Sequence, residues 1–248
     1  MIKINRPSDP PKKQRKRKKA KKSFRYNEDR IVAELWKMQH GKCCYCEEDI
    51  PEKGHAKAVE HFKPKSVFKS LTNDWDNLLL ACAQCNGKKS DLFPIELTSE
   101  EEEPKVIYIK RGSKERCVSR KNASVLLIDP SKENPEKYLD FVVDLSNSMF
   151  GLIHAKKNRR KGIHTIKVIG LDDWFYHKKN RDFLRDALIP TLGQMTRAAD
   201  LKDQTSVDAR KRDFEQWMAD SYRIAGFTRA FARHYGLEKY GISIPSDN

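Results

Sequence analysis

Two pairs of cysteines carry the clearest chemistry in this chain. Cys43-x-x-Cys46 and Cys82-x-x-Cys85 each offer two sulfurs at the spacing of a metal knuckle, and four thiolates are the donor set of structural zinc. One such pair is also found in redox proteins; two together point to zinc. Cys44 lies inside the first knuckle, in the run CCYC, with no second knuckle to join, and Cys117 is a stray thiol. The spacer of 35 residues between Cys46 and Cys82 is longer than a usual zinc-ribbon loop, so the ion would clamp the two ends of an inserted unit.

Glu60 and His61 lie inside that unit, in VEHFKPKS, and Asn86 follows the second knuckle in CNGKK. A carboxylate, an imidazole and an amide on a braced scaffold suit hydrolysis assisted by a hard cation. Magnesium takes few protein oxygens and keeps several waters, so Glu60 and the Asn86 carbonyl are candidate ligands for Mg2+ or Mn2+. His61 can take a proton from an attacking water near neutral pH. The cation would stabilise charge on a scissile phosphate. Lys63, Lys65, Lys88 and Lys89 surround these positions and are candidates for adjacent phosphates. His55 would share a strand face with His61, although Gly54 favours an intervening turn.

The elements that must position these groups are short. NEDRIVAELWKMQHG reads as a helix with Ile31, Leu35 and Met38 on one face and Gly41 at its end, delivering the chain to CCYC. Residues 56–62 suit a strand, NDWDNLLLAC a turn into a buried strand, and CAQCNGKKSD the opening of a helix. TSEEEEP, 98–104, is a composition break expected to link two parts. Beyond it KVIYIK and SVLLID have strand character, LDFVVDLSNSMFGLIHA reads as a hairpin, and the pattern turns helical from Gly162. Ile224, Phe227, Phe231 and Tyr235 form an aromatic stripe expected to be core or partner contact.

Charge is concentrated at one end. Of the formal net charge of +15, residues 1–26 supply +11, from twelve Lys or Arg against Asp9 alone. A run of like charge cannot bury enough apolar surface to order itself, so 1–26 is expected to be a flexible basic arm. Its Lys12, Lys13, Arg15, Lys16, Arg17, Lys18 and Lys19 suit salt-dependent contact with nucleic-acid phosphates, against the plainer reading of a solubilising tail or a nuclear address. A chain of 248 residues can build a core without disulfides. No apolar run approaches the ~20 residues of a membrane span, and no secretory segment opens the sequence. The expectation is a soluble, cytoplasmic protein without a membrane partner, whose thiols stay reduced.

The order CxxC, EH, WDNL, CxxCNxxK over Cys43 to Asp91 resembles the HNH endonucleases. The resemblance implies an α+β fold: a zinc-braced ββα-metal nuclease core over 27–97, with a mostly helical C-terminal part in 105–248. It implies His61 as general base, Glu60 and Asn86 at the catalytic metal, and Asn77 as the asparagine that fixes the loop around the base. Glu60 stands where many members carry Asp or His, and Asn86 where the family name implies His, which leaves the metal ligands less defined than the base. More widely, MIKINRPSDPP, DWDNLLLAC, LLIDPSKENPEKYLDF and TIKVIGL resemble the PtuB family, the HNH subunit of Septu-type antiphage defence, which also accompanies some retrons. That implies a PtuA-type ATPase partner, with the C-terminal region as a docking surface. The competing readings are a zinc-containing module that binds nucleic acid without cutting it, and an HNH nuclease that cuts RNA.

Overall fold

A computed structural model describes residues 1–11, 24–52, 57–98, 103–114, 122–157 and 159–245. The architecture mixes helices with small antiparallel sheets. Helix α1, Asp29–Met38, buries Ile31 and Leu35, four residues apart as a one-sided helix requires. It is stopped at Gly41, where φ is 70° and an added Cβ would come within 2.8 Å of the Trp36 ring, leaving no room for a side chain. Trp36 Nε1 donates to the Ile50 carbonyl at 2.8 Å and closes the turn that carries the first knuckle.

Strand β1, Lys57–His61, pairs antiparallel with β2, Leu78–Cys82, and α2, Ala83–Lys89, follows directly, giving a ββα unit. Leu78, Leu79, Leu80 and Ala81 are all buried, so both faces of β2 are covered, as its unbroken apolar run requires. Gln39 ties α1 to this strand: its side chain donates to the Leu80 carbonyl and accepts from the Leu80 N–H, both at 2.8 Å. Strand β3, Phe93–Leu97, lies between β4, Lys105–Ile109, and β5, Ala123–Val125. Strands β6, Leu139–Phe141, and β7, Ile153–Ala155, form the expected hairpin. Helices α3, Arg160–Ile169, α4, Trp174–Phe183, α5, Ile189–Asp200, α6, Gln204–Met218, and α7, Ala225–His234, complete the chain. One apolar cluster joins the ββα unit to β3 and α3; a second joins α5, α6 and α7.

Two features differ from expectation, and for a third, the 224–235 stripe, the structure selects the core reading over partner contact. The first residues are not a free arm: Met1, Ile2 and Ile4 are buried, and the Ile4 N–H donates to the Pro130 carbonyl at 2.8 Å. Arg6 donates to the carbonyls of Trp75 and Leu78, each at 2.6 Å, and Trp75 Nε1 donates to the Pro7 carbonyl at 3.0 Å. Apolar residues among the first four, and a cation with two carbonyls to satisfy, dock this segment despite its charge. The arm's Lys12, Lys13, Arg15, Lys16, Arg17, Lys18 and Lys19 lie outside the described residues, as do His55 and Cys117.

The acidic stretch 98–104 lies between β3 and β4, which pair with each other from Phe93↔Ile109 to Leu97↔Lys105. It therefore connects two strands of one sheet and is not a passage between separately packed parts; residues 99–102 are outside the described set. The 224–235 stripe is interior. Phe227 and Phe231 are fully buried in the second cluster, so this face completes a core and is not available for docking. Arg229, also buried, donates to Glu136 at 3.0 Å, to Asp220 at 2.5 Å and to the Met218 carbonyl, which satisfies its charge inside that core.

Candidate active site and cysteine cluster

The turn after α1 and the β2–α2 junction bring the four cysteines together. The sulfurs of Cys43, Cys46, Cys82 and Cys85 all lie within 4.8 Å of one another, and those of Cys46 and Cys82 are 3.8 Å apart. A tetrahedral ion ~2.3 Å from each sulfur would hold sulfurs ~3.8 Å apart, so the donors fit zinc in type, number and spacing. Each knuckle is shaped by its backbone. The Glu47 N–H donates to the Cys43 carbonyl at 3.1 Å, with Glu47 in the left-handed region at φ 61°, and the Cys85 N–H donates to Cys82 Sγ at 3.4 Å. Cys44 stands outside the cluster with its N–H on the Leu80 carbonyl at 3.0 Å. Burial pushes its thiol well above the ordinary value, away from the thiolate a metal needs.

The cluster has a neighbour that the cysteine spacing does not reveal. Tyr176, from α4, places its hydroxyl 3.2 Å from Cys85 Sγ, where it can donate to a thiolate. Metal ligands are commonly steadied by such outer hydrogen bonds. Nothing in the sequence marks this tyrosine, which is 91 positions from the sulfur it meets.

His61 ends β1. Its Nε2 lies 2.9 Å from the Thr72 carbonyl, which can only accept, so Nε2 carries the proton and Nδ1 keeps its lone pair. Burial lowers the imidazole pKa to about 4, with Lys65 and Lys89 acting in the same direction against the Thr72 bond. The ring is therefore neutral at physiological pH, the form a general base requires. Asn77 stabilises the intervening loop: its Oδ1 accepts from the Lys63 N–H at 2.7 Å, and its Nδ2 donates to the carbonyls of Lys63, at 3.0 Å, and Leu71, at 3.2 Å. Both ends of the loop after the histidine are thereby tied to the start of β2.

The other residues divide. Neighbours on a strand point to opposite faces, and Glu60 faces inward. Its side chain is 3% exposed, Lys89 Nζ lies 2.5 Å from its Oε1, and the Tyr45 hydroxyl donates to the same oxygen at 3.3 Å. Burial raises the Glu60 carboxyl above its ordinary value, with Lys89 pulling the other way. In this structure, therefore, Glu60 is engaged in an internal ion pair and Lys89 is fully buried, in place of the open cation and phosphate contacts expected of them. Lys89 Nζ also donates to the His61 carbonyl at 3.0 Å, so α2 is pinned to β1 directly behind the histidine. Asn86 is half-buried and sits one turn before Lys89, on the α2 face that meets β1. Lys88 Nζ pairs with Asp173 at 2.7 Å, Lys63 lies over the Phe68 ring, and Lys65 is exposed.

The segment thus combines a four-cysteine clamp, a ββα unit and an oriented neutral histidine on its first strand. Residues 43–92 match the family model of the HNH endonucleases. Two curated relatives carry the description Septu protein PtuB. The one from Bacillus mycoides (strain KBAB4) is 30% identical over 160 residues, covering 59% of this chain and 48% of that protein. The one from Bacillus thuringiensis is 36% identical over 95 residues, covering 36% of this chain and 37% of that protein. The chain thus spans about half the length of the first and little more than a third of the second. It is also 27% identical over 146 residues to Septu protein PtuA of Bacillus mycoides (strain KBAB4), which covers 54% of this chain but 18% of that protein. No solved structure matches. Among the described residues no helix is long and apolar enough to cross a membrane.

Proposed function

We propose that this chain is a metal-dependent HNH endonuclease that hydrolyses DNA phosphodiester bonds, acting as the nuclease subunit of a Septu-type antiphage system beside a PtuA-type ATPase. The observation that carries the reading is His61: a neutral imidazole whose Nε2 is fixed on the Thr72 carbonyl and whose Nδ1 is left to accept a proton, within the segment matched to the HNH endonucleases. The Septu relatives support the defence setting and the ATPase partner.

In this mechanism Nδ1 of His61 takes a proton from the attacking water. The Thr72 bond keeps the imidazole from turning and stabilises the cation that results. Asn77 holds the loop that presents Thr72, and Lys89 holds the strand from behind. Lys63, Lys65 and the basic run from Lys12 to Lys19 meet the backbone phosphates on either side. The half-buried amide of Asn86, beside β1, would hold a divalent Mg2+ or Mn2+ together with the substrate phosphate and waters, as such ions prefer. That ion supplies charge stabilisation at the phosphate and the leaving oxygen. Cys43, Cys46, Cys82 and Cys85 would hold a zinc ion that braces the scaffold.

The test is cleavage of plasmid DNA by zinc-loaded chain, alone and with the ATPase subunit, in magnesium or manganese. His61→Ala should abolish cutting while zinc content stays unchanged and the variant still unfolds in one cooperative transition, at a somewhat lower midpoint because a buried ring and its Thr72 bond are lost. Undiminished cutting by that variant removes the base from His61. Cutting of RNA in place of DNA would move the substrate and leave the residue roles intact.

A further inference from the structure

His61 is only 6% exposed, too little for a base that must meet a water on a phosphate. Part of what covers it is Tyr26. The two rings meet edge to face with centroids 4.7 Å apart. Tyr26 is held from two sides: its N–H donates to Asn73 Oδ1 at 2.9 Å, and Lys65 Nζ donates to its hydroxyl at 2.8 Å while lying 4.3 Å from the ring centroid. Asn73 directly follows Thr72, whose carbonyl orients the imidazole, so tyrosine and histidine lean on the same turn.

We propose that Tyr26 is a displaceable cover on the His61 imidazole, latched by Lys65 and released when a nucleic-acid phosphate takes the Lys65 ammonium. The proposal deepens the reading of His61 as the base and rests on it.

The latch is of the right strength to be exchanged. Lys65 is exposed, so its bond to a neutral phenol is made in water and is weak. A phosphate oxygen is a charged acceptor and forms the stronger bond with an ammonium. The exchange therefore runs in the direction of opening when a backbone arrives, and backward when it leaves. It also accounts for the burial of the base in the free chain: the imidazole is kept neutral and dry until substrate is in place. Lys65 would then act twice, first holding the cover and afterwards holding the phosphate next to the uncovered base.

Diethyl pyrocarbonate labelling of the zinc-loaded full chain, followed by peptide mass mapping, tests this without any cleavage. The exposed His154 serves as internal reference. Tyr26→Ala should raise the His61 rate about tenfold relative to His154, the factor expected on losing an aromatic pair and one hydrogen bond. Tyr26→Phe and Lys65→Ala, which remove only the latch, should each give a smaller rise. Inorganic phosphate should raise the wild-type rate above that in chloride of equal ionic strength, and should do nothing further to Lys65→Ala. An unchanged rate in Tyr26→Ala overturns the cover. Protection by phosphate, or no effect of it, overturns the release. Because labelling requires no turnover, a chain inactive on every nucleic acid would still report on the cover, and a cover that fails these tests would leave the His61→Ala cleavage result standing.

Discussion

Replacing Lys89 by Met separates the two roles that Glu60 could have. Lys89 and Glu60 have side chains 0% and 3% exposed and lie 2.5 Å apart, so the substitution leaves an uncompensated carboxylate in the interior. Breaking a buried pair from one side costs ~3–5 kcal/mol, and loss of the donor to the His61 carbonyl adds ~1 kcal/mol. For a chain of this size that corresponds to a fall in Tm of roughly 10 °C or more. Protonation of Glu60, whose carboxyl is already raised by burial, sets the ceiling on the loss. The second variant, Glu60→Gln/Lys89→Met, removes both charges and should recover most of the stability while still cutting DNA. Urea unfolding of zinc-loaded chain reads the first quantity as a shift in midpoint at constant slope, and plasmid cleavage reads the second. If Glu60 instead binds the catalytic cation, Lys89→Met will be mild and the double variant will be folded but inactive, and the inward assignment fails.

The remaining predictions concern the histidine and the cysteines. The folded pKa of His61, about 4, lies below its ordinary ~6.5, so protonation opposes folding and this contribution to stability is lost as pH falls from ~6.5 toward 4. His61 ring resonances should accordingly stay still through neutral pH, and a titration midpoint near ~6.5 would contradict the burial. Cys44→Ala should keep one zinc per chain by elemental analysis and cost ~1 kcal/mol for a small cavity, whereas Cys43→Ala should lose the metal and unfold the ββα unit. Tyr176→Phe should weaken zinc retention against a chelator ~10–100-fold without changing the ligands, and equal retention would deny the tyrosine a part in the metal site.

What the sequence made legible follows physical rules of different reach. Ligand type and spacing are local, so Cys43, Cys46, Cys82 and Cys85 can be identified from four letters and their intervals, and Cys44 can be set aside. The strands around Glu60 and Leu79 and the helix after Cys82 are legible because apolar runs and turn residues mark them. Glu60 is harder. Its adjacency to His61 suggests shared ligation, while strand parity puts the two on opposite faces, and Lys89, reaching back from α2, settles the carboxylate inward. The docking of Met1, Ile2 and Ile4 is hidden by a charge count taken over 26 residues, most of whose cations lie after Pro11. Glu103 of 98–104 is exposed as its charge suggests, but composition does not distinguish a hairpin connection from a boundary. Tyr26 and Tyr176 act on partners far along the chain, and no local pattern encodes such a meeting.

The docked first segment has a consequence for the order of assembly. Residues 4–7 are synthesised before the groups that hold them, the carbonyls of Trp75, Leu78 and Pro130 and the indole of Trp75. Arg6 and Pro7 meet their partners only once Leu78 has been made, and Ile4 only once Pro130 has. Arg6 then closes on the carbonyls either side of Asn77, the residue that holds the loop around His61. The bracing of the site thus draws on residues that precede and follow His61 in the chain, and a nascent chain carries its histidine before the surrounding frame is complete.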